Sequence, residues 1–314
     1  MRLLLLILFS SLFLKASRID SLVQEFYLPQ DELNALFQKN DSIHQLLEFK
    51  DDSLAITLKL IQLQVINNNR NKRNIKGLSL NLLASRMANK ITLEAAKQNY
   101  LSHWNLKGEK PYHRWGRLGQ AYHIEENTYS YQESKTLKND YRQALKMMAE
   151  GHRNFISEKA PYDGHKQTIL REHHTSVGIG FNFYKNQFRY NEEFIDNHFQ
   201  TIEYTQKRKE VNVKFQTKPG QYVHFAVISS EKINTKSVKW LNRSGSYLDQ
   251  GKDIVDRIPF FNMKETNDYY EFSSSKLDSG KVYYIQIYIG DNAPKKDRLS
   301  SKNVFPASGI VIFK

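Results

Sequence analysis

The stretch Asp163–Phe181, DGHKQTILREHHTSVGIGF, decides the fold, because a strand pattern starts inside it. From Thr175 apolar and polar residues alternate, and the alternation runs through NFYKNQFRYNEEFI as far as Ile195. A period of two on both sides of the polar pair Lys185–Asn186 predicts a β-hairpin. His165 stands before the alternating part, thirteen positions ahead of Gly178. Gly178 and Gly180 are expected to allow close backbone packing at the strand.

Upstream of this hairpin the pattern is helical. Residues 18 to 50 read as amphipathic helix interrupted at Pro29, with PQDELNALF as a helix start. In SLAITLKLIQLQVINNNRNKRN, Leu54, Leu58, Ile61 and Val65 recur at helical spacing. A long helix follows over Leu80 to Leu101, with a break expected near Ile91–Thr92, and a third is entered from Asn139 or Asp140. Helices around a small sheet imply an α-β-α layering.

After about Thr205 the helical signal ends. VNVKFQTK, QYVHFAVISS, DYYEFSS, KVYYIQIYIG and GIVIFK are short alternating runs separated by Gly, Ser, Asn and Asp. Such spacing predicts a small antiparallel β-sandwich. The charged segment EYTQKRKE reads as the linker before it. The expected class is therefore α+β.

The N-terminus carries Arg2, a run from Leu3 to Leu14, then Ala16 and Ser17. That is the layout of a secretory signal peptide, and the run is short of the about 20 apolar residues a membrane span needs. A secreted or periplasmic chain is expected, with no transmembrane segment after cleavage. The sequence contains no Cys, which excludes disulfides, thiol catalysis and a lipidated cysteine. Net charge is 46 − 33 = +13. This favours anionic surfaces as partners, but the basic residues are dispersed and no nucleic-acid recognition motif accompanies them.

Tyr100–Asn127, YLSHWNLKGEKPYHRWGRLGQAYHIEEN, gathers His103, His113, His123, Glu125 and Glu126 among aromatics, Gly and Pro. Neutral imidazoles offer nitrogen ligands to a divalent ion and carboxylates can orient them, while the same groups can move protons near neutral pH. There is no His-Glu-x-x-His pair, no Gly-x-Ser-x-Gly elbow and no phosphate-binding glycine loop.

Four pieces, in order, resemble the CAP superfamily (the SCP-like domain of cysteine-rich secretory, antigen 5 and pathogenesis-related proteins) in its prokaryotic form. They are Asn67 and Arg70 at Asn-x-x-Arg spacing, the Ser-His-aromatic stretch at Ser102–Trp104, Glu126–Asn127 of a Gly-Glu-Asn motif, and His165 with Gly178 of a Gly-His motif. Glu125 replaces the glycine of the third motif. The resemblance implies a CAP-type α-β-α sandwich over residues 54–204, flanked by a signal peptide (1–17), a helical extension (18–53) and a β-rich domain (205–314).

It further implies a polar cleft built by His103, Glu126, His165 and a second acid. Glu150 takes that last place by motif, with Glu133 and Glu158 as alternatives. His103 and His165 would hold a divalent metal, Zn or Mg, if one binds. His152, in an earlier Gly-His-Arg, is a decoy by spacing, and it joins His113, His123, His173 and His174 as surface or hydrogen-bonded residues. The expected function is ligand binding by a secreted protein, the ligand being a lipid, glycan or protein. The alternative is a metal-dependent hydrolase of peptide, ester or glycan bonds. Tyr269, Tyr270, Tyr283 and Tyr284 are candidates either for stacking surfaces or for cross-strand pairs.

Overall fold

The computed structural model describes residues 18–232, 247, 251, 253–295 and 303–314. The expected signal peptide at 1–17 lies outside the described residues. The fold is α+β, as expected, and the chain forms two compact units. One, the helical unit, comprises Met1–Asn99, Asn127–Glu172 and Val177–Glu193; the other, the β-rich unit, comprises Tyr100–Glu126, His173–Ser176 and Phe194–Lys314.

The helical unit contains α1 (Gln30–Ser42), α2 (Ser53–Asn71), α3 (Leu82–Gln98), α5 (Tyr141–Ser157) and α6 (Gly164–Leu170). Asp52, Asn81 and Asp140 precede α2, α3 and α5, and their side chains accept from Ala55, Ala84 and Gln143 N–H groups. Each cap satisfies an amide that the helix leaves unpaired at its start. The break expected at Ile91–Thr92 is absent, since α3 runs through it. The Thr92 hydroxyl donates back to the Ala88 carbonyl at 2.7 Å, which accommodates a polar β-branched residue inside the helix.

Four strands, β1 (Ser79–Leu80), β2 (His123–Gln132), β3 (Ser176–Tyr184) and β4 (Gln187–Asp196), form a sheet in the order β1-β3-β4-β2. The β3–β4 connection is the hairpin read from the sequence, with Lys185 at φ 54° in its turn. Gly178 and Gly180 put β3 directly against α3. A Cβ on Gly178 would come within 2.4 Å of the Ala84 Cβ, and one on Gly180 within 2.3 Å of the Ala88 carbonyl carbon. The two glycines are there for close packing of helix on sheet.

The Asn-x-x-Arg pair is also structural. Asn67 bonds the N–H and C=O of Leu78, and the buried Arg70 guanidinium donates to the carbonyls of Lys76, Ile169 and Arg171. Arg86 does the same for the N-terminal extension, donating to the carbonyls of Asn40, Ile43 and Gln45.

The β-rich unit contains α4 (Pro111–Arg117) and two antiparallel sheets. The first is ordered β5 (Phe199–Lys207), β6 (Glu210–Thr217), β10 (Tyr269–Ser274), β9 (Lys264–Thr266). The second is ordered β12 (Val304–Pro306), β11 (Lys281–Gly290), β7 (Tyr222–Lys232), β8 (Asp253–Pro259), with β13 (Ile310–Phe313) also on β11. Val213, Phe215 and Phe272 from the first sheet and Ile228, Ile285 and Ile287 from the second share one apolar cluster, which Ala121 and Phe199 join.

EYTQKRKE is not a linker. It forms the end of β5, a turn through Arg208 at φ 49° and the start of β6. Its charges mark an edge strand, where solvated side chains protect open backbone groups. Of the four tyrosines, Tyr283 and Tyr284 are buried and Tyr270 stacks on Phe215, so these three pack within the unit.

Candidate functional site

Within the β-rich unit, His103 and Glu126 come together. His103 Nδ1 lies 2.9 Å from Glu126 Oε1, and the other carboxylate oxygen takes Arg114 Nη2 at 2.5 Å. Arg114 Nη1 donates to the carbonyls of His103 and Glu109, so one guanidinium holds the acid and the backbone of its histidine. Pro111 opens α4 with its φ already helical, and the His113 ring accepts the Lys110 N–H. Glu126 is fully buried, whereas the His103 side chain keeps 20% exposure, so the imidazole is the member that meets solvent. Tyr247 covers the pair: its ring lies 4.2 Å from the imidazole, and its hydroxyl bonds the Glu126 backbone.

In the helical unit, His165 sits in the first turn of α6. Its Nδ1 lies 2.5 Å from Glu158 Oε1, its N–H donates to Glu158 Oε2, and its ring stacks on Phe155 at 4.7 Å. Asn127 donates to the His165 carbonyl and to Glu192. Glu158, one of the alternatives for the second acid, is therefore the carboxylate that holds His165. Glu150 instead accepts from the Tyr129 hydroxyl at 3.4 Å, and burial together with that carboxylate pushes the phenol up to about 12. Glu133 accepts from Tyr131.

His113, His123, His152 and His174 are hydrogen-bonded, as expected, and are buried as well. His152 is buried with Nδ1 2.7 Å from Glu192 and Nε2 3.2 Å from the Asn69 amide, and Tyr190 donates to the same carboxylate. His123 pairs with Glu125, and His174 with Asp196 at 2.6 Å. Glu125, which departs from the motif glycine, is thus buried with an imidazole partner.

His113 belongs to a third buried network. Because its Nδ1 accepts from Lys110 N–H, its Nε2 donates to Tyr284, whose hydroxyl donates to Glu231; Lys110 Nζ bonds both Glu231 oxygens at 3.0 Å. Burial, with Lys110, Arg114 and Arg117 nearby, pushes His113 down to about 3, so it is neutral at physiological pH.

The Asp196–His174 pair makes stability depend on pH. Burial alone would raise the Asp196 carboxyl, but the neighbouring His174 charge holds it below its ordinary value of 3.8. A depressed acid contributes stability that is present above its unfolded pKa and is lost as pH falls through the folded one. The stability advantage of the wild-type chain over Asp196→Asn should therefore be full above about pH 4 and shrink below it. Urea unfolding at stepped acidic pH measures this, and a difference independent of pH would contradict it.

Arg114 and Tyr247 are the site residues the sequence reading missed. Arg114 stood visible as a charge in the aromatic stretch YHRWG, without a named partner. Tyr247 carries no local signal at all, being 121 residues from Glu126. Among the described residues, no three His, Asp or Glu side chains are grouped to hold a metal ion.

No family model matches this sequence, and no curated protein does either. Solved structures do match part of it. An outer surface protein from Borrelia burgdorferi is 14% identical, with 45% of this chain and 92% of that one covered at a TM-score of 0.35. An extracellular protein containing an SCP domain, from Bacillus anthracis, is 21% identical over 45% of this chain and 43% of its own, at 0.33. NaASP2, whose structure was determined with Zn2+, is 15% identical over 38% of this chain and 60% of that one, at 0.26. No helix among the described residues is long and apolar enough to cross a membrane.

Proposed function

We propose that this is a secreted CAP-type binding protein in which His103 and His165 are ligand-side residues, with Glu126 and Glu158 orienting their rings. One observation supports this reading: each imidazole has a carboxylate at Nδ1, at 2.9 and 2.5 Å. A carboxylate there favours the Nδ1–H tautomer and makes Nε2 the basic, ligand-directed atom. It is the arrangement used to orient metal-binding histidines. Glu158 replaces Glu150 as the second acid of the proposed set.

The donors fit zinc rather than magnesium, because two imidazole nitrogens suit the former and the latter requires oxygen ligands. Each of His103 and His165 would offer an ion its Nε2, and the remaining coordination positions would fall to ligand or solvent. Zinc bound there supplies a Lewis acid that anchors an anionic or carbonyl group. Glu126 and Glu158 keep the rings in one tautomer, and Arg114 holds the second oxygen of Glu126. The partner is a lipid, glycan or protein ligand, recognised outside the cell after loss of residues 1–17.

Calorimetric titration of the zinc-free full chain should show zinc binding that weakens in His103→Ala and in His165→Ala. Glu126→Gln and Glu158→Gln should weaken it about 10- to 100-fold. Affinity should fall in acid, because protons compete for imidazole nitrogen. Unchanged binding in either alanine variant removes that histidine from the site, and no zinc binding by the wild-type chain refutes the metal reading.

A further inference from the structure

Tyr247 is held at three points by the Tyr100–Glu126 segment. Its carbonyl accepts from the Tyr112 hydroxyl at 2.9 Å. Its own hydroxyl accepts the Glu126 N–H at 2.5 Å and donates to the Glu126 carbonyl at 3.0 Å. Its ring lies 4.2 Å from the His103 imidazole at an interplanar angle of 39°. The double hydrogen bond has a simple origin. β2 is an edge strand, and the N–H and C=O of one residue in a strand point to the same side. A hydroxyl that both donates and accepts can satisfy the two groups that a neighbouring strand would otherwise pair.

We propose that Tyr247 is a positioning residue for the His103–Glu126 pair, its hydroxyl fixing the backbone from which the carboxylate projects and its ring fixing the plane of the imidazole. Arg114 holds the Glu126 side chain, and Tyr247 holds its main chain. With both in place the carboxylate meets Nδ1 in one geometry, and Nε2 is presented in one direction. Tyr247 is buried, so it acts through the pair and does not itself meet the ligand. The inference rests on the reading that His103 is a ligand-side residue.

The test uses the full chain, zinc-free, in alkaline buffer where imidazoles are neutral. Nitrogen-15 spectra of the wild-type chain should show His103 as a single tautomer protonated at Nδ1, with a ring-current shift on its carbon-bound protons. Tyr247→Phe should retain the ring-current shift and lose the single tautomer; Tyr247→Leu should lose both. Zinc dissociation constants should rise about 10-fold in the first variant and towards 100-fold in the second.

As a control, Tyr283→Phe deletes another hydroxyl of the same unit, the one that receives the Asp278 N–H, and should leave His103 unchanged. His103 signals that coincide in wild type and both Tyr247 variants, or that move equally in the control, overturn the proposal. A wild-type chain that binds no zinc, but whose His103 signals move only in the Tyr247 variants, refutes the metal reading and sustains this one. Should Tyr247→Leu not fold, Tyr247→Phe alone decides.

Discussion

Replacing Arg114 by Met should destabilise the protein by about 3–5 kcal/mol, the range found when one partner of a buried ion pair is removed. The Glu126 side chain has no exposure, and its Oε2 is bonded to Arg114 at 2.5 Å. Methionine fills the volume of the arginine stem but leaves the buried carboxylate without its guanidinium. The bonds to the His103 and Glu109 carbonyls go as well. Arg114→Lys should recover only part, since an ammonium cannot reproduce a planar fork serving three acceptors. Arg114→Met combined with Glu126→Gln should cost less than the sum of the two, because the second change removes the stranded charge. Urea unfolding of the wild-type chain and the four variants measures all of this. Strict additivity would mean that the guanidinium and the carboxylate do not act on each other.

What was legible in the sequence followed from local physics. The β3–β4 hairpin and strands β6, β7, β10, β11 and β13 announce themselves by period-two alternation, and α5 by Asp140 and its apolar face. Gly178 and Gly180 do serve close packing, as their place in the strand pattern suggests. Edge strand β5 was hidden because its last turn is all charge, a pattern that composition alone cannot separate from a linker.

The histidines are harder to read for a related reason. His113, His123, His152 and His174 are polar in sequence but buried beside Glu231, Glu125, Glu192 and Asp196, which lie up to 118 residues away. A buried imidazole is tolerated when a partner satisfies it, and the partner is a tertiary fact. The same limit applies to Tyr247, whose role exists only after β2 and the β-rich unit have folded. His165 shows the boundary between the two cases. Its spacing to Gly178 is written in the sequence, whereas its pairing with Glu158 rather than Glu150 depends on how the chain turns between α5 and α6.

Asp51→Asn should be the second severe substitution, although it changes one atom in the residue before the α2 cap. Lys59 lies in the middle of α2 with no side-chain exposure, and its ammonium is 2.7 Å from both Asp51 oxygens and 2.9 Å from Asn89 Oδ1. Burial lowers the Lys59 pKa, and the Asp51 charge is the main influence opposing it. The amide variant removes that opposition, leaving a buried ammonium without the carboxylate it touches.

The expected loss is again about 3–5 kcal/mol, mitigated as Lys59 gives up its proton at higher pH. Because Asn40 and Asn89 tie the Asp51 carbonyl, the Asp51 side chain and the Phe49 carbonyl into the same cluster, the loss should also reach the N-terminal extension. Amides of α1 should then exchange with solvent faster than those of α3 relative to wild type. Asp51→Asn with Lys59→Met should restore most of the stability, since replacing both charges by neutral groups leaves nothing stranded. A single variant within about 0.5 kcal/mol of wild type, with α1 exchange unchanged, would show that the pair neither stabilises the helical unit nor anchors its extension.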